Sequence, residues 1–271
     1  MEIVKLTPEN IEALAYSCMM ERSRWIRNPE HYRSISISYL KKTINHRILG
    51  VVAVQDGKPV GHLFYGPLKG IGLPVRCDEE KINAIHCTCV DKQWTRKGIG
   101  KAMIDAVVED SKDTPGILVM ATKLKMFMPI DSFLRLGFNQ IHDDDFWKIG
   151  YYPIQKESVH VETYTPELEW DYVKSFTFIT DDFCPFFVHL RQKQKAIAMK
   201  FPEQLPIDEI PFENAIQRDE NVIPGFYLFG REIPPGILSS GKLKRFIKRT
   251  IRDESRKTFG TTSPPEYRKR K

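Results

Sequence analysis

The chain has 271 residues, a hydrophobic share of 41% and a formal net charge of +6, enough for two α/β domains of ordinary size with real cores. No run of about 18 apolar residues occurs, which argues against a membrane-spanning helix. The charge is uneven: twelve basic and three acidic residues stand from Lys242 to Lys271, leaving 29 and 32 in the rest, so the body is not a nucleic-acid-coating surface.

Five cysteines at irregular spacing (Cys18, Cys77, Cys87, Cys89 and Cys184) do not form a secreted disulfide framework. The start, MEIVKLTPENIEAL, has no apolar signal segment. A cytoplasmic protein is the expectation.

In chain order, Met1 to Leu6 predicts a short strand, and Thr7-Pro8-Glu9-Asn10 opens a helix to about Met20. Ser23 to Ile44 fits either a helix pair or a loop over a pocket. Ile48 to Val54 and Pro59 to Tyr65 flank Gln55-Asp56-Gly57-Lys58 and predict a hairpin, because Asp-Gly supports a positive-φ turn. Lys81 to Val90 is a strand, Gly98 to about Ser111 an amphipathic helix, and Ile117 to Ala121 an apolar strand. Ile130 to Leu136 predicts a short helix closed by Gly137. Phe138 to Ile141 and Phe146 to Tyr152 are further strands, completing a mixed α/β sheet.

The stretch from Ile82 to Gly100 carries the most chemistry. A strand passes through a polar turn into Lys97-Gly98-Ile99-Gly100, which opens a helix. Such a helix start offers backbone N–H groups and a positive dipole end to a phosphate, and glycines admit a close approach of the ligand. Arg96, Lys97 and Lys101 add charge of the right sign.

Val90, then Gly98-Ile99-Gly100-Lys101-Ala102, and later Ser132-Phe133-Leu134-Arg135-Leu136-Gly137-Phe138 resemble the GNAT superfamily of N-acetyltransferases. The resemblance covers roughly the first 153 residues. It implies a mixed sheet flanked by helices over 1–153, with acetyl-CoA as co-substrate and no metal. The amides of Arg96, Lys97, Gly98, Ile99, Gly100 and Lys101 would bind the pyrophosphate, and backbone groups of Thr88 and Val90 the pantetheine arm. Thr95 stands where the family usually has Gln or Arg, and Arg96 is its candidate substitute.

Acetyl would pass directly to an amine of a small molecule or peptide. The histone-acetylating branch places a glutamate base where this chain has Ala84. Strand alternation would put Ala84, His86 and Thr88 on one face, and Ile85, Cys87 and Cys89 on the other. His86 is the candidate base, with a hydrogen-bonded structural histidine as the alternative. Phe133 replaces the tyrosine many relatives use as acid, which leaves Tyr151, Tyr152, solvent or the substrate ammonium. Cys87 and Cys89 read as core thiols rather than zinc ligands.

Beyond a join at Glu157 to Asp171, containing a strand from Val159 to Tyr164 and a helix start at Thr165-Pro166-Glu167, come a strand (Phe176 to Thr180) and a helix to about Phe201. Then follow a strand at Ile207 to Ile210, a short helix at Phe212 to Asp219 and a basic helix from Lys242 to Arg252. Cys184-Pro185-Phe186-Phe187 resembles the Cys-Pro-x-Cys of the thioredoxin/glutaredoxin fold without its second cysteine, and Ile223-Pro224 its cis-proline turn. A GNAT domain followed by such a module is similar to the YoaP type of bacterial acetyltransferase.

This implies a degenerate thioredoxin-like α/β domain over 158–252, then a basic disordered tail over 253–271. Cys184, before a helix, is a candidate reactive thiol; a binding or dimerising module is the alternative, and Asp181, Asp182 and His189 are candidates to line a substrate surface. An acyl-CoA-sensing binding protein is the rival to an enzyme. Membrane and nucleic-acid partners are not expected, and assembly of identical chains is left open.

Overall fold

The computed structural model describes residues 1–13, 26–122, 129–145, 147–168, 175–201, 206–233 and 240–258. Strand β1 (Glu2–Lys5) and a 3-10 turn (Ile11–Ala13) precede helix α1 (Pro29–Thr43). The helix expected up to Met20 falls largely on residues 14–25, outside the described residues. Within Ser23 to Ile44, the described part forms a single helix.

Strands β2 (Leu49–Gln55) and β3 (Lys58–Pro67) form the expected hairpin. Asp56 (φ 52°) and Gly57 (φ 72°) supply the two positive-φ positions of its turn. Next come α2 (Leu68–Ile71), β4 (Val75–Cys77), β5 (Asn83–Val90) and α3 (Ile99–Asp110). Then β6 (Gly116–Thr122), α4 (Ile130–Leu134), β7 (Asn139–Asp143) and β8 (Trp147–Pro153) follow. They build a seven-stranded sheet in the order β1-β2-β3-β5-β6-β8-β7, antiparallel except between β5 and β6.

Strand β9 (Val161–Thr163) returns to pair with β4. The helix expected to start at Thr165 does not begin there. Glu167 forms an antiparallel bridge with Arg231 instead.

The second unit contains β10 (Phe176–Thr180), α5 (Pro185–Ala198), β11 (Ile207–Pro211) and α6 (Phe212–Ile216). It continues through β12 (Gly225–Leu228), β13 (Arg231–Glu232) and α7 (Ser240–Thr258). Its sheet order is β11-β10-β12-β13, with β10 parallel to β11 and the other pairs antiparallel. No cis peptide occurs among the described residues, so the expected cis-proline at Pro224 is trans. Leu243 and Ile247 of α7 are buried while Lys244, Arg245, Lys248 and Arg249 face solvent. The disordered tail expected over 253–271 does not begin at 253, because α7 continues to Thr258; residues 259–271 lie outside the described residues.

One face of the large sheet packs Val51, Leu63, Ile85 and Val119 against Ile99, Met103 and Val107 of α3 and Phe133 of α4. The opposite face is shared. Leu40 and Ile44 cover Val52 and Phe64, and Phe183 and Cys184 of the second unit complete that cluster.

Polar contacts tie the two units together. Arg47 donates to Gly70 O (2.7 Å) and to Asp181 Oδ2 (2.9 Å), and Tyr39 donates to Glu213 Oε1 (2.6 Å). Gly72 (φ 61°) abuts the second unit so closely that a Cβ would lie 2.4 Å from Pro224 Cδ. The second unit is therefore packed onto the sheet face that bears His86, and that determines the surroundings of the site.

Candidate active site

Strand β5 is the axis of the site. It pairs with β6 only from Asn83 to Ile85, opposite Ile117 to Val119. Past that point β5 continues to Val90 along β3, while β6 continues to Thr122 along β8. The two parallel strands part after Ile85, and among the described residues their ladder does not continue beyond it. A strand edge that a neighbouring strand leaves can serve as a template for an extended, amide-bearing ligand.

A bulge sits at the mouth of the splay. Phe64 opposes Cys87 and Tyr65 opposes Ile85, so His86 is the extra residue on β5. The bulge corrects the expected alternation. Thr88, opposite Leu63, joins Ile85 on the α3 side, while Cys87 packs on the α1 side with Phe64 and Phe183. Ala84 does not share a face with Thr88; it packs with Leu118 and Tyr151. Thr88 Oγ1 donates to His62 O at 3.1 Å, which fixes that side chain and leaves its backbone for a ligand.

His86 turns toward the second unit, with its ring 3.9 Å from that of Phe183. Part of the residue remains exposed, yet protein surrounds the imidazole and desolvation pushes its pKa down to about 4. Asp181 opposes that shift and Arg47 adds to it. The ring is neutral at neutral pH, the form a base requires.

From Val90 the chain passes through an exposed loop to α3. Gly98 (φ 79°) caps the helix with no side-chain hydrogen bond, and a Cβ on it would meet nothing within 4 Å. On Gly100 a Cβ would meet only Leu136 Cδ1, at 4.0 Å. Neither glycine is required by packing against the protein, which leaves space for a group at the first amides of α3. Ile99 is buried and anchors the helix, so only its backbone is available. Lys97 Nζ lies 4.1 Å from the centre of the Trp94 ring, Lys101 pairs with Asp105 at 2.8 Å, and Arg96 is exposed at φ 63°. These six residues follow β5 in the chain, separated from it by the loop that begins at Asp91.

Two other candidates fall away from this region. Tyr151 is buried, and its hydroxyl lies within donating distance of two carbonyls, Lys156 O (2.7 Å) and Pro115 O (2.9 Å), at the paired end of β6 rather than the splayed end. Its hydroxyl is engaged and misplaced for a leaving thiolate. Cys184 precedes α5 as expected, but it is buried in the cluster shared by the two units, so its thiol is enclosed rather than presented. Phe133 is likewise core, edge-on to Phe138. Among the described residues no three metal-ligating side chains gather, and no helix is long and apolar enough to cross a membrane. Sequence reasoning missed Arg47 and Phe183, and it gave Asp181 no place beside His86.

Residues 14–138 match the family model described as Acetyltransferase (GNAT) family. No curated protein sequence matches the chain. Similar solved structures include the ribosomal-protein-S18-alanine N-acetyltransferase of Escherichia coli (15% identity, 58% of this chain and 96% of that one, TM-score 0.39). Others are the PaiA N-acetyltransferase of Thermoplasma acidophilum in complex with coenzyme A (14%, 56% and 100%, 0.39) and aminoglycoside 6'-acetyltransferase type Ii (16%, 58% and 100%, 0.44). Residues 14–138 are thus similar to the GNAT acetyltransferases, a likeness confined to the amino-terminal part of the chain.

Proposed function

We propose that the protein transfers an acetyl group from acetyl-CoA directly to an amine of a small molecule or peptide. The observation that carries this reading is the open space at Gly98 and Gly100 at the start of α3, on the chain that follows β5 where it parts from β6. The amides from Arg96 to Lys101 would hold the pyrophosphate. The edge of β5 near Thr88 and Val90 would pair with the pantetheine arm. Acetyl-CoA supplies an activated thioester, and an amide at the bulge pointed at its oxygen would stabilise the developing oxyanion.

His86 is the base candidate. It stands at the bulge, is neutral at rest, and faces the acceptor side. The departing thiolate takes its proton from solvent, from the substrate ammonium or by way of His86.

The second unit runs β-α-β-α-β-β-α with a sheet order of second strand, first, third, fourth, and that order supports a degenerate thioredoxin-like domain of the YoaP type. The enclosure of Cys184 favours a structural use of that domain over thiol chemistry. A cytoplasmic location remains our reading.

Thiol release from acetyl-CoA across a panel of primary amines tests the proposal. Amine-dependent release with matching amide product supports it. Acetyl-CoA binding without turnover of any amine would favour the sensing protein instead.

A further inference from the structure

Around His86 the domain interface contains three buried polar atoms that lack a hydrogen-bond partner: His86 Nδ1, Asp181 Oδ1 and Arg47 Nε. The Asp181 side chain is only 1% exposed. Its other oxygen, Oδ2, is bonded to Arg47. Asp181 follows β10 directly, two residues before Phe183, whose ring covers His86, and its charge acts on the imidazole. A buried carboxylate oxygen and a buried ring nitrogen are costly to leave unmatched. Each is the complement of the other when the proton of the neutral imidazole resides on Nδ1.

From this we infer that Asp181, delivered by the second unit, is a positioning residue for His86. The structure leaves the two atoms unbonded; a small closure that lets Oδ1 accept from Nδ1–H would fix the tautomer whose Nε2 lone pair faces the acceptor amine. Part of His86 stays exposed, and of its two nitrogens only Nδ1 is enclosed without a partner. The arrangement meets two needs together. Burial keeps the ring uncharged at rest, and the nearby carboxylate compensates the imidazolium when it forms. In the transfer step the amine nitrogen bonds to the acetyl carbon and the C–S bond to coenzyme A breaks. One N–H proton passes to Nε2 and from there to the departing thiolate, leaving one amide and one thiol. The base would then be assembled by both units, and the acetyltransferase fold alone would lack its orienting group.

The catalytic meaning of this inference rests on the proposed acetyl transfer, but its test does not. Long-range ¹H–¹⁵N correlation spectra of the full-length protein at pH 7.5 report which ring nitrogen of His86 carries the proton. Proton on Nδ1 in the wild type is the expected result; proton on Nε2 overturns the inference without any variant. Asp181→Asn provides the second arm. Arg47 can only donate, so the amide oxygen turns to it and the amide NH2 faces His86, which moves the proton to Nε2. Arg47→Lys disturbs the same ion pair but should leave the tautomer unchanged. Where an amine turns over, Asp181→Asn should lower kcat at least tenfold with the KM for acetyl-CoA unchanged. An unchanged tautomer in Asp181→Asn, or an equal change in Arg47→Lys, contradicts the assignment and marks Asp181 as an interface residue alone.

Discussion

The imidazole of His86 and the phenyl ring of Phe183 lie 3.9 Å apart, centre to centre, and belong to different units, His86 on β5 and Phe183 in the turn after β10. The second unit is therefore part of the environment that determines the protonation of His86. Phe183→Ala removes that cover. It should raise the His86 pKa from about 4 toward the ordinary value of about 6.5, readable by NMR titration. Because Phe183 is also buried among Leu40 and Phe64, the variant should lose roughly 3–5 kcal/mol of stability.

Arg47 and Asp181 form the central ion pair between the units, with side chains 13% and 1% exposed. Replacing Arg47 by Met leaves the carboxylate buried and unpaired, a change that costs about 3–5 kcal/mol in comparable sites. The expected result is a lower denaturation midpoint, with acetyl-CoA affinity changed little because the α3 loop is untouched. A midpoint equal to wild type would mean that the pair contributes nothing to cohesion.

Stability should depend on pH in two opposite ways. Burial pushes Glu232 up to about 7, above its unfolded value near 4.3. Its contribution is full below that unfolded value and is lost as pH rises through 7, on the order of 1–2 kcal/mol. Glu232→Gln should remove that loss and be the more stable protein at pH 8. His62 and His86 are both driven down to about 4 by burial. Their contribution is full above about 6.5 and is lost as pH falls through 4. Chemical denaturation at pH 5, 6.5 and 8 on wild type and Glu232→Gln checks both signs.

Local chemistry was readable where one short stretch decides the structure. Asp56-Gly57 announced the hairpin because few other pairs accept two positive φ values. Gly98-Ile99-Gly100 after a strand announced the start of α3 for a similar reason. The bulge at His86 was not readable, since strand alternation assumes an unbroken register and an extra residue leaves no compositional mark. Tyr151 looked available because a tyrosine near a sheet end gives no sign of which carbonyls its hydroxyl will find. Arg47 and Asp181 are separated by 134 positions, and no local pattern predicts that a charged residue before β2 will meet one at the end of β10. Cys184 was placed correctly before its helix. Its burial depends on α1 and β3, which lie far away in the sequence.

The central claim is that the start of α3 and the splay of β5 bind acetyl-CoA, and Gly100→Val isolates it. A Cβ there would meet only Leu136 Cδ1, at 4.0 Å, so folding should be preserved, whereas the added methyl groups would obstruct a bound pyrophosphate. Calorimetric titration of wild type and Gly100→Val with acetyl-CoA is the most direct measurement. We predict one-to-one binding by the wild type and a loss of at least about a hundredfold in the variant, near 2.8 kcal/mol, with an unchanged melting temperature. No binding by the wild type, or equal affinity in a folded Gly100→Val, would contradict the account.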